Sequence, residues 1–426
     1  VELVFISDAC HVYYPKGTDM INAASGNPGA GTGVSSAPSS RMSVDQYNSL
    51  ARQQLIAGSI KKKQLIYNFT GNPATINNLV NIGGNYVRMA GLLIRFIVEV
   101  TATFAATGAG KSTPSVTQIG AANLLSNIQF TDLQNNQRHN SSGVHFALVS
   151  TMKRHYPWGT AFTPQQSFAF NAADTNVPLA YATPPAAAAT GSARCVYEIP
   201  VAISDKDLRG GIFLGVYGAQ LSLQLQLNPS PSPAAGDSTF AVFYGADASS
   251  ISSVTINIYQ EYYDQLPMNN GAFVLPPLDI STVYQLTYTN FTNFTAGQDY
   301  YIPYANYRKY LSQNLIYNNS GTDGGLTVDG SDIGYLQLVA ANFTPIWKVF
   351  PLEQKRVMRE QMMCDLYHGL FTFRTYDKPI DTQNYGNMQL DINPATAGAS
   401  SYAYVMSEFI AYQNQIGQAP SLPANK

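Results

Sequence analysis

Apolar and polar residues alternate at period 2 through much of the chain. Leu221, Leu223, Leu225 and Leu227 alternate with Ser222, Gln224 and Gln226. Val254, Ile256 and Ile258 alternate with Thr255, Asn257 and Tyr259. Such runs predict strands with one buried face. Met89 to Phe104 reads as one long or broken strand. Pro267, Asn269, Asn270 and Gly271 then break the pattern, and Pro276 and Pro277 hold the next residues extended. Beyond Asp279 strand-like runs return near Val283–Tyr288, Gly334–Ala340, Gly369–Arg374, Met388–Ile392 and Tyr402–Tyr412. One β-rich unit ends at this connection and a shorter one begins. No strand-helix-strand rhythm is present, which disfavours a parallel α/β sheet. Antiparallel strands with long loops predict sandwiches or jelly rolls.

Two stretches read as helices. Ser43 and Gln46 have capping-box spacing, and Val44, Tyr47, Leu50, Ala51 and Leu55 recur at helical steps up to Gly58. Lys61, Lys62 and Lys63 follow, where positive charge complements a helix C-terminus. This is a capped surface helix, or an arm that packs on a partner or rests near anionic lipid headgroups. The second helix starts at Pro351, with Phe350, Val357, Met358, Met362 and Leu366 as an apolar face. Glu353, Lys355, Arg356, Arg359 and Glu360 form its polar face, so it covers a sheet edge or a sandwich end. From Ala23 to Ser40 the chain is rich in Gly, Ala, Ser, Asn and Pro and reads as a flexible extension, with Met42 a candidate start.

Composition adds a function class. At 426 residues, two domains are expected. Charged residues make up 12%, against roughly 25% in an average chain. Polarity comes from Asn, Gln, Ser, Thr and 28 Tyr. Low charge with many aromatics marks surface buried against other proteins, although a neutral secreted β-protein has a similar profile. The net charge of −2 argues against direct nucleic-acid binding as the main role. Cys10, Cys195 and Cys364 are odd in number and far apart, and indicate neither a disulfide framework nor a zinc site. The most apolar run, Met89 to Val100, contains Arg95 and Glu99 and is too short to span a bilayer. The N-terminus lacks the basic leader of a secretory signal.

The chemical motifs are weak. Ala105 to Ser112 resembles a phosphate-binding loop, but Ala105 replaces the first glycine and Pro114 follows closely. His11, His139, His145, His155 and His368 form no metal-binding spacing; His139 and His145 read as hydrogen-bonded side chains of a polar turn. Asp323, Asp329 and Asp332 lack the spacing of a calcium loop and read as turn carboxylates. No catalytic residue, cofactor-binding residue or metal ligand is assigned, and no cofactor is expected.

Four separated blocks carry a family resemblance. One is the central stretch, with Tyr259, Gln260, Tyr262, Asp264, Gln265, Leu266 and Pro267 followed by Asn270, Gly271, Leu275, Pro276, Asp279, Ser281 and Thr282. The others are Asn136–His139 with Ser142, Gly143 and His145; Tyr304–Asn306 with Tyr310–Ser312; and Asp377–Ile380 with Tyr385, Gly386, Asn387, Asn393 and Pro394. In order and spacing these resemble the tectivirus major capsid proteins, over about residues 43 to 415.

The resemblance implies an all-β fold of two eight-stranded antiparallel jelly rolls, with an N-terminal helix and a helix inserted in the second roll. The expected division is an extension at 1–42, a helix arm at 43–63, a first roll at 64–268 and a second at 269–426. It further implies a homotrimer of pseudo-hexagonal outline. Such trimers would tile an icosahedral shell beside neighbouring trimers and minor capsid and vertex proteins, over an internal lipid membrane touched peripherally. By this likeness Lys61, Lys62 and Lys63 form a membrane-facing arm. The chain would fold in the host cytoplasm and reside in the virion capsid of a bacterial virus, without sequence-specific nucleic-acid contact and without enzymatic activity. The loops at 156–195 and 228–250 lie outside the matched blocks. The rival reading is a carbohydrate- or receptor-binding β-sandwich, because jelly rolls are also lectin folds.

Overall fold

A computed structural model describes residues 44–82, 91–106, 124–154, 180–183, 190–214, 220–228, 248–264, 268–269, 272–273, 282–320, 330–340, 345–362, 369–385 and 387–412. In the first half, helix α1 (Val44–Gly58) leads into β1 (Ile60–Gly71), β2 (Leu79–Asn81), β3 (Leu92–Ala106), β4 (Leu125–Thr131) and β5 (Gln137–Ser141). Helix α2 (Gly143–Arg154) precedes β6 (Ala180–Thr183), β7 (Thr190–Pro200), β8 (Ile212–Phe213), β9 (Ser222–Leu227) and β10 (Ala248–Asp264). A ribbon of β11 (Met268–Asn269) and β12 (Ala272–Phe273) follows. The second half holds β13 (Thr282–Thr292), β14 (Tyr300–Pro303), β15 (Lys309–Asn318), β16 (Ile333–Val339) and β17 (Pro345–Val349). Helix α3 (Pro351–Met362) comes before β18 (Leu370–Arg374), β19 (Ile380–Asp381), β20 (Gln389–Pro394) and β21 (Tyr402–Tyr412).

One sheet runs through both halves. Its order is β18-β15-β21-β13-β5-β4-β9-β2, with β19 also on β15. A sheet of order β1-β10-β3-β7-β6, with β8 on β3, faces its first-half strands. A four-stranded sheet, β14-β20-β16-β17, faces its second-half strands. Among the described residues each pairing is antiparallel except one: β13 runs parallel to β5, with Leu286 opposite His139 and Thr287 opposite Asn140. This parallel contact joins a strand of the first half to one of the second, so each roll keeps its expected antiparallel pairing among the described residues.

Side-chain parity shows where the cores lie. In the first sandwich Phe96, Val98 and Val100 of β3 pack with Ile128 and Phe130 of β4 and Leu223 and Leu225 of β9. The outer strands of this sandwich keep clean alternation, as in β9, where only the leucines are buried. Strands β15 and β21 do not alternate, because both of their faces are covered. Leu315, Tyr317, Ala403, Val405 and Phe409 point into the second core, whereas Leu311, Ile316, Tyr404, Met406 and Ile410 join the first. A strand buried on both sides reads as a nearly continuous apolar run. The polar residues of β15, Ser312, Gln313, Asn314 and Asn318, are buried as well.

The helices depart from expectation in instructive ways. Helix α1 ends at Gly58, so Lys61–Lys63 lie inside β1 and outside any helical arm. Only its C-terminal half docks: Leu55 packs with Leu92, Ile94, Ala202, Leu208 and Tyr263, while Tyr47 is 61% exposed. Helix α2 is not one of the two helices that the sequence predicts. Residues 143–150 are buried all round, and a helix without a polar face has no amphipathic period to read. In α3 the expected apolar face begins at Phe350, yet Phe350 is exposed. Pro351 and Gln354 face inward, and Gln354 Nε2 donates to the Thr372 carbonyl at 2.6 Å.

Candidate functional site at the joint between sandwiches

For a chain without catalytic motifs, the functional geometry is whatever fixes the sandwiches together and shapes their outer edges. The joint is built from residues around the β4–β5 turn. Asp132 Oδ1 accepts from the backbone N–H groups of Gln134 and Asn136 at 2.9 and 3.0 Å, and Asn135 takes the left-handed conformation at φ 62°. This turn holds Asp132 Oδ2 2.9 Å from Arg138 Nε. Both groups are buried. Burial lowers the Arg138 guanidinium from its ordinary pKa, and the Asp132 charge opposes that shift. Arg138 also donates to the Gly210 carbonyl. Gly210 has φ +91°, and a Cβ there would meet the Val201 carbonyl oxygen at 2.7 Å and Tyr284 Cβ at 2.9 Å. Glycine is required at this approach.

His139 closes the seam. The Leu286 N–H donates to its Nδ1 at 3.0 Å, so Nδ1 carries a lone pair and the proton resides on Nε2. That N–H donates to the Pro200 carbonyl at 2.5 Å. Phe130, Phe146 and Tyr284 surround the ring, with centroids 5.6–5.8 Å away. Gln285 Nε2 adds a bond to the Gln137 carbonyl at 2.9 Å. His145, expected in a turn, lies in α2, where its Nδ1 shares a hydrogen bond with Ser141 Oγ at 2.7 Å.

A second polar joint lies one strand away. Glu408 is fully buried and accepts from three hydroxyls: Tyr284, Tyr376 and Ser312, the last at 2.7 Å. Burial, then the Glu408 charge, pushes Tyr284 and Tyr376 well above the ordinary phenol range, so both stay protonated as donors. Sequence reasoning passed over Glu408, Tyr284 and Tyr376. The available signal was a lone carboxylate in the apolar run Tyr402–Tyr412, which marks a buried polar joint.

The lysine strand lies on the outside. Among the described residues strand β1 pairs with β10 alone and forms an edge of its sheet. Lys61 Nζ is 2.7 Å from Asp205 and 3.4 Å from Glu261. Lys62 pairs with Asp264, and this hydrogen bond raises its pKa. Lys63 Nζ sits 4.2 Å above the Tyr259 ring. Arg95 extends the same network to Glu261 at 2.6 Å and Asp205 at 3.3 Å.

The remaining motif residues contribute little. Residues 107–112 of the loop-like motif, His11, His155, His368, Asp323 and Asp329 lie outside the described residues, as do Cys10 and Cys364. Asp332 is buried beside β16. Burial pushes the Cys195 thiol up to about 12, leaving it a neutral core side chain. Among the described residues, no group of three or more His, Cys, Asp or Glu is placed to hold a metal, and no helix is long and apolar enough to cross a membrane.

Solved structures share this stacked arrangement. The major capsid protein of Sulfolobus Turreted Icosahedral Virus aligns with a TM-score of 0.57 at 11% identity, over 84% of this chain and 100% of the other. PBCV-1 VP54, fitted into a reconstruction of the virophage Sputnik, gives 0.52 at 10% identity, over 83% and 94%. At such identities the likeness speaks for the fold alone, and the fold is that of a double jelly-roll viral major capsid protein. The sequence narrows this further. The model of the P3 major capsid protein N-terminal region matches residues 73–266, and that of the C-terminal region matches 281–422. Major capsid protein P3 of Enterobacteria phage PRD1 is 29% identical over 337 residues, covering 78% of this chain and 84% of that protein. The chain belongs to the P3 major capsid protein family, and its role is structural, as a component of the virion capsid. The carbohydrate- or receptor-binding reading finds no support in these relatives.

Proposed function

We propose that the chain assembles as a homotrimer of pseudo-hexagonal outline. Each such unit would tile an icosahedral shell beside neighbouring trimers and minor vertex proteins, over an internal membrane. The observation that carries this reading is the sheet shared by both sandwiches. Two similar lobes fixed on one sheet behave as a single block, and three such blocks around an axis present six lobes. The low charge, 12% of residues, supports extensive burial against other copies. The division into rolls near 268 is part of the same proposal; it is supported by family matches that stop at 266 and resume at 281. Folding would be complete in the host cytoplasm before assembly.

The membrane-facing role of Lys61–Lys63 belongs to the same proposal. Lys61 and Lys62 already meet carboxylates, so the charge available to a lipid surface comes chiefly from Lys63. The exposed Tyr47 and Leu50 of α1 add apolar contact area. Light scattering on the purified chain tests the assembly reading. The expected mass is three times 46.2 kDa; a monomer that persists at high concentration contradicts it.

A further inference from the structure

The four-stranded sheet of the second sandwich turns Ile302, Leu336, Leu338, Leu390 and Ile392 into the core. On its opposite face, strand register sets two rows. In one, Tyr301 lies beside Asp391, Asp391 beside Gln337, and Gln337 beside Lys348. In the next, Asn393 lies beside Tyr335, and Asn393 Nδ2 donates to Asp299 Oδ1 at 2.6 Å. The Tyr335 hydroxyl donates to the same oxygen at 2.6 Å. Asp299 precedes Tyr301 by two residues as Asn393 follows Asp391 by two, so Asp299 and Asp391 are diagonal neighbours. That relation places residues roughly 7–8 Å apart, within reach of a shared ligand.

Asp391 is anomalous on this face. It points away from the core, yet it is only 2% exposed, and its Oδ1 has no hydrogen-bond partner. Lys348, in the same row beyond Gln337, places its Nζ 3.5 Å over the Tyr335 ring. Burial, then the charge of Asp299, pushes Asp391 up to about 6, against the opposing field of Lys348. At neutral pH the carboxylate remains mostly ionised, with a like charge as its neighbour. A buried, unpaired carboxylate beside a second one is unfavourable until something positive joins it.

We propose that Asp391 and Asp299 form a binding site for a hard divalent cation, calcium foremost. The donors are oxygens, with neither thiol nor imidazole in the rows, which suits calcium over zinc. Gln337 and water would fill the remaining positions. Two carboxylates with neutral oxygens give a weak site, with a dissociation constant on the order of 0.1–1 mM. Lys348 competes with the metal for the same field.

The test is calorimetric titration of calcium chloride into the full, assembled protein after chelator washing, with magnesium chloride as the comparison. Saturable calcium binding in that range is expected, with magnesium weaker. Asp391→Asn and Asp299→Asn should each reduce affinity at least tenfold. Lys348→Gln should raise it several-fold, a gain that damage to the fold would not produce. Absence of saturable binding, or binding unchanged in both aspartate variants, overturns the proposal. So does a loss of affinity in Lys348→Gln.

Discussion

His139 bonds the backbone of β13 with one ring nitrogen and the carbonyl of Pro200 with the other, so its tautomer is dictated by its partners. His139→Phe keeps a ring among Phe130, Phe146 and Tyr284 but leaves the buried Leu286 N–H without an acceptor. An unpaired buried donor costs about 1–3 kcal/mol. Urea unfolding should show that loss, and amide exchange at Leu286 should accelerate in the variant. Asp391 makes a prediction of opposite sign. Its folded pKa of about 6 lies above the roughly 3.9 of an unfolded Asp. The folded chain therefore holds this proton more tightly, and the stability Asp391 contributes at low pH is lost as pH rises from about 4 to 6. In calcium-free buffer Asp391→Asn should be more stable than the native chain at pH 7, by roughly 1 kcal/mol once solvent screening is allowed for. Its stability should also vary less between pH 4 and 6. Parallel pH profiles for the two proteins would contradict this.

Among the elements, β1 shows that a run of lysines after a helix need not cap it. Three consecutive lysines read as complementing a helix end; the structure sets them in a strand that lies, among the described residues, at the edge of its sheet. Charged residues, lysine above all, keep such edges from pairing with other chains. Exposed ion pairs contribute about 0–1 kcal/mol each, so their value to stability is small. Replacing Lys61 and Lys63 with valine should leave the unfolding midpoint nearly unchanged and increase aggregation measured by light scattering. A large loss of stability without aggregation would contradict the edge role. Period-2 strands such as β9 and β10 were legible because one face of each meets the core. Helix α2 and strand β15 were not, since burial on every side erases the period. His139 read only as a hydrogen-bonded turn side chain, and Arg138 only as part of the block Asn136–His139. What placed them in the joint is a parallel pairing between Leu286 and His139, 147 residues apart, which local pattern cannot encode.

For the whole molecule, two sandwiches on one sheet account for the family's use of this chain as a building block. Neither sandwich needs a flexible hinge, because residues of β15 and β21 belong alternately to both cores. The shared polar joints at Arg138, His139 and Glu408 favour one relative placement over others, since any slip would strand buried polar groups. The central claim is that this block assembles threefold into a six-lobed unit. The most direct measurement is electron-microscopic imaging of the purified protein, with class averages computed without imposed symmetry. The account predicts threefold particles with a six-lobed, pseudo-hexagonal outline and lobes fixed relative to one another. Single two-lobed particles, or lobes that vary independently between classes, would contradict it.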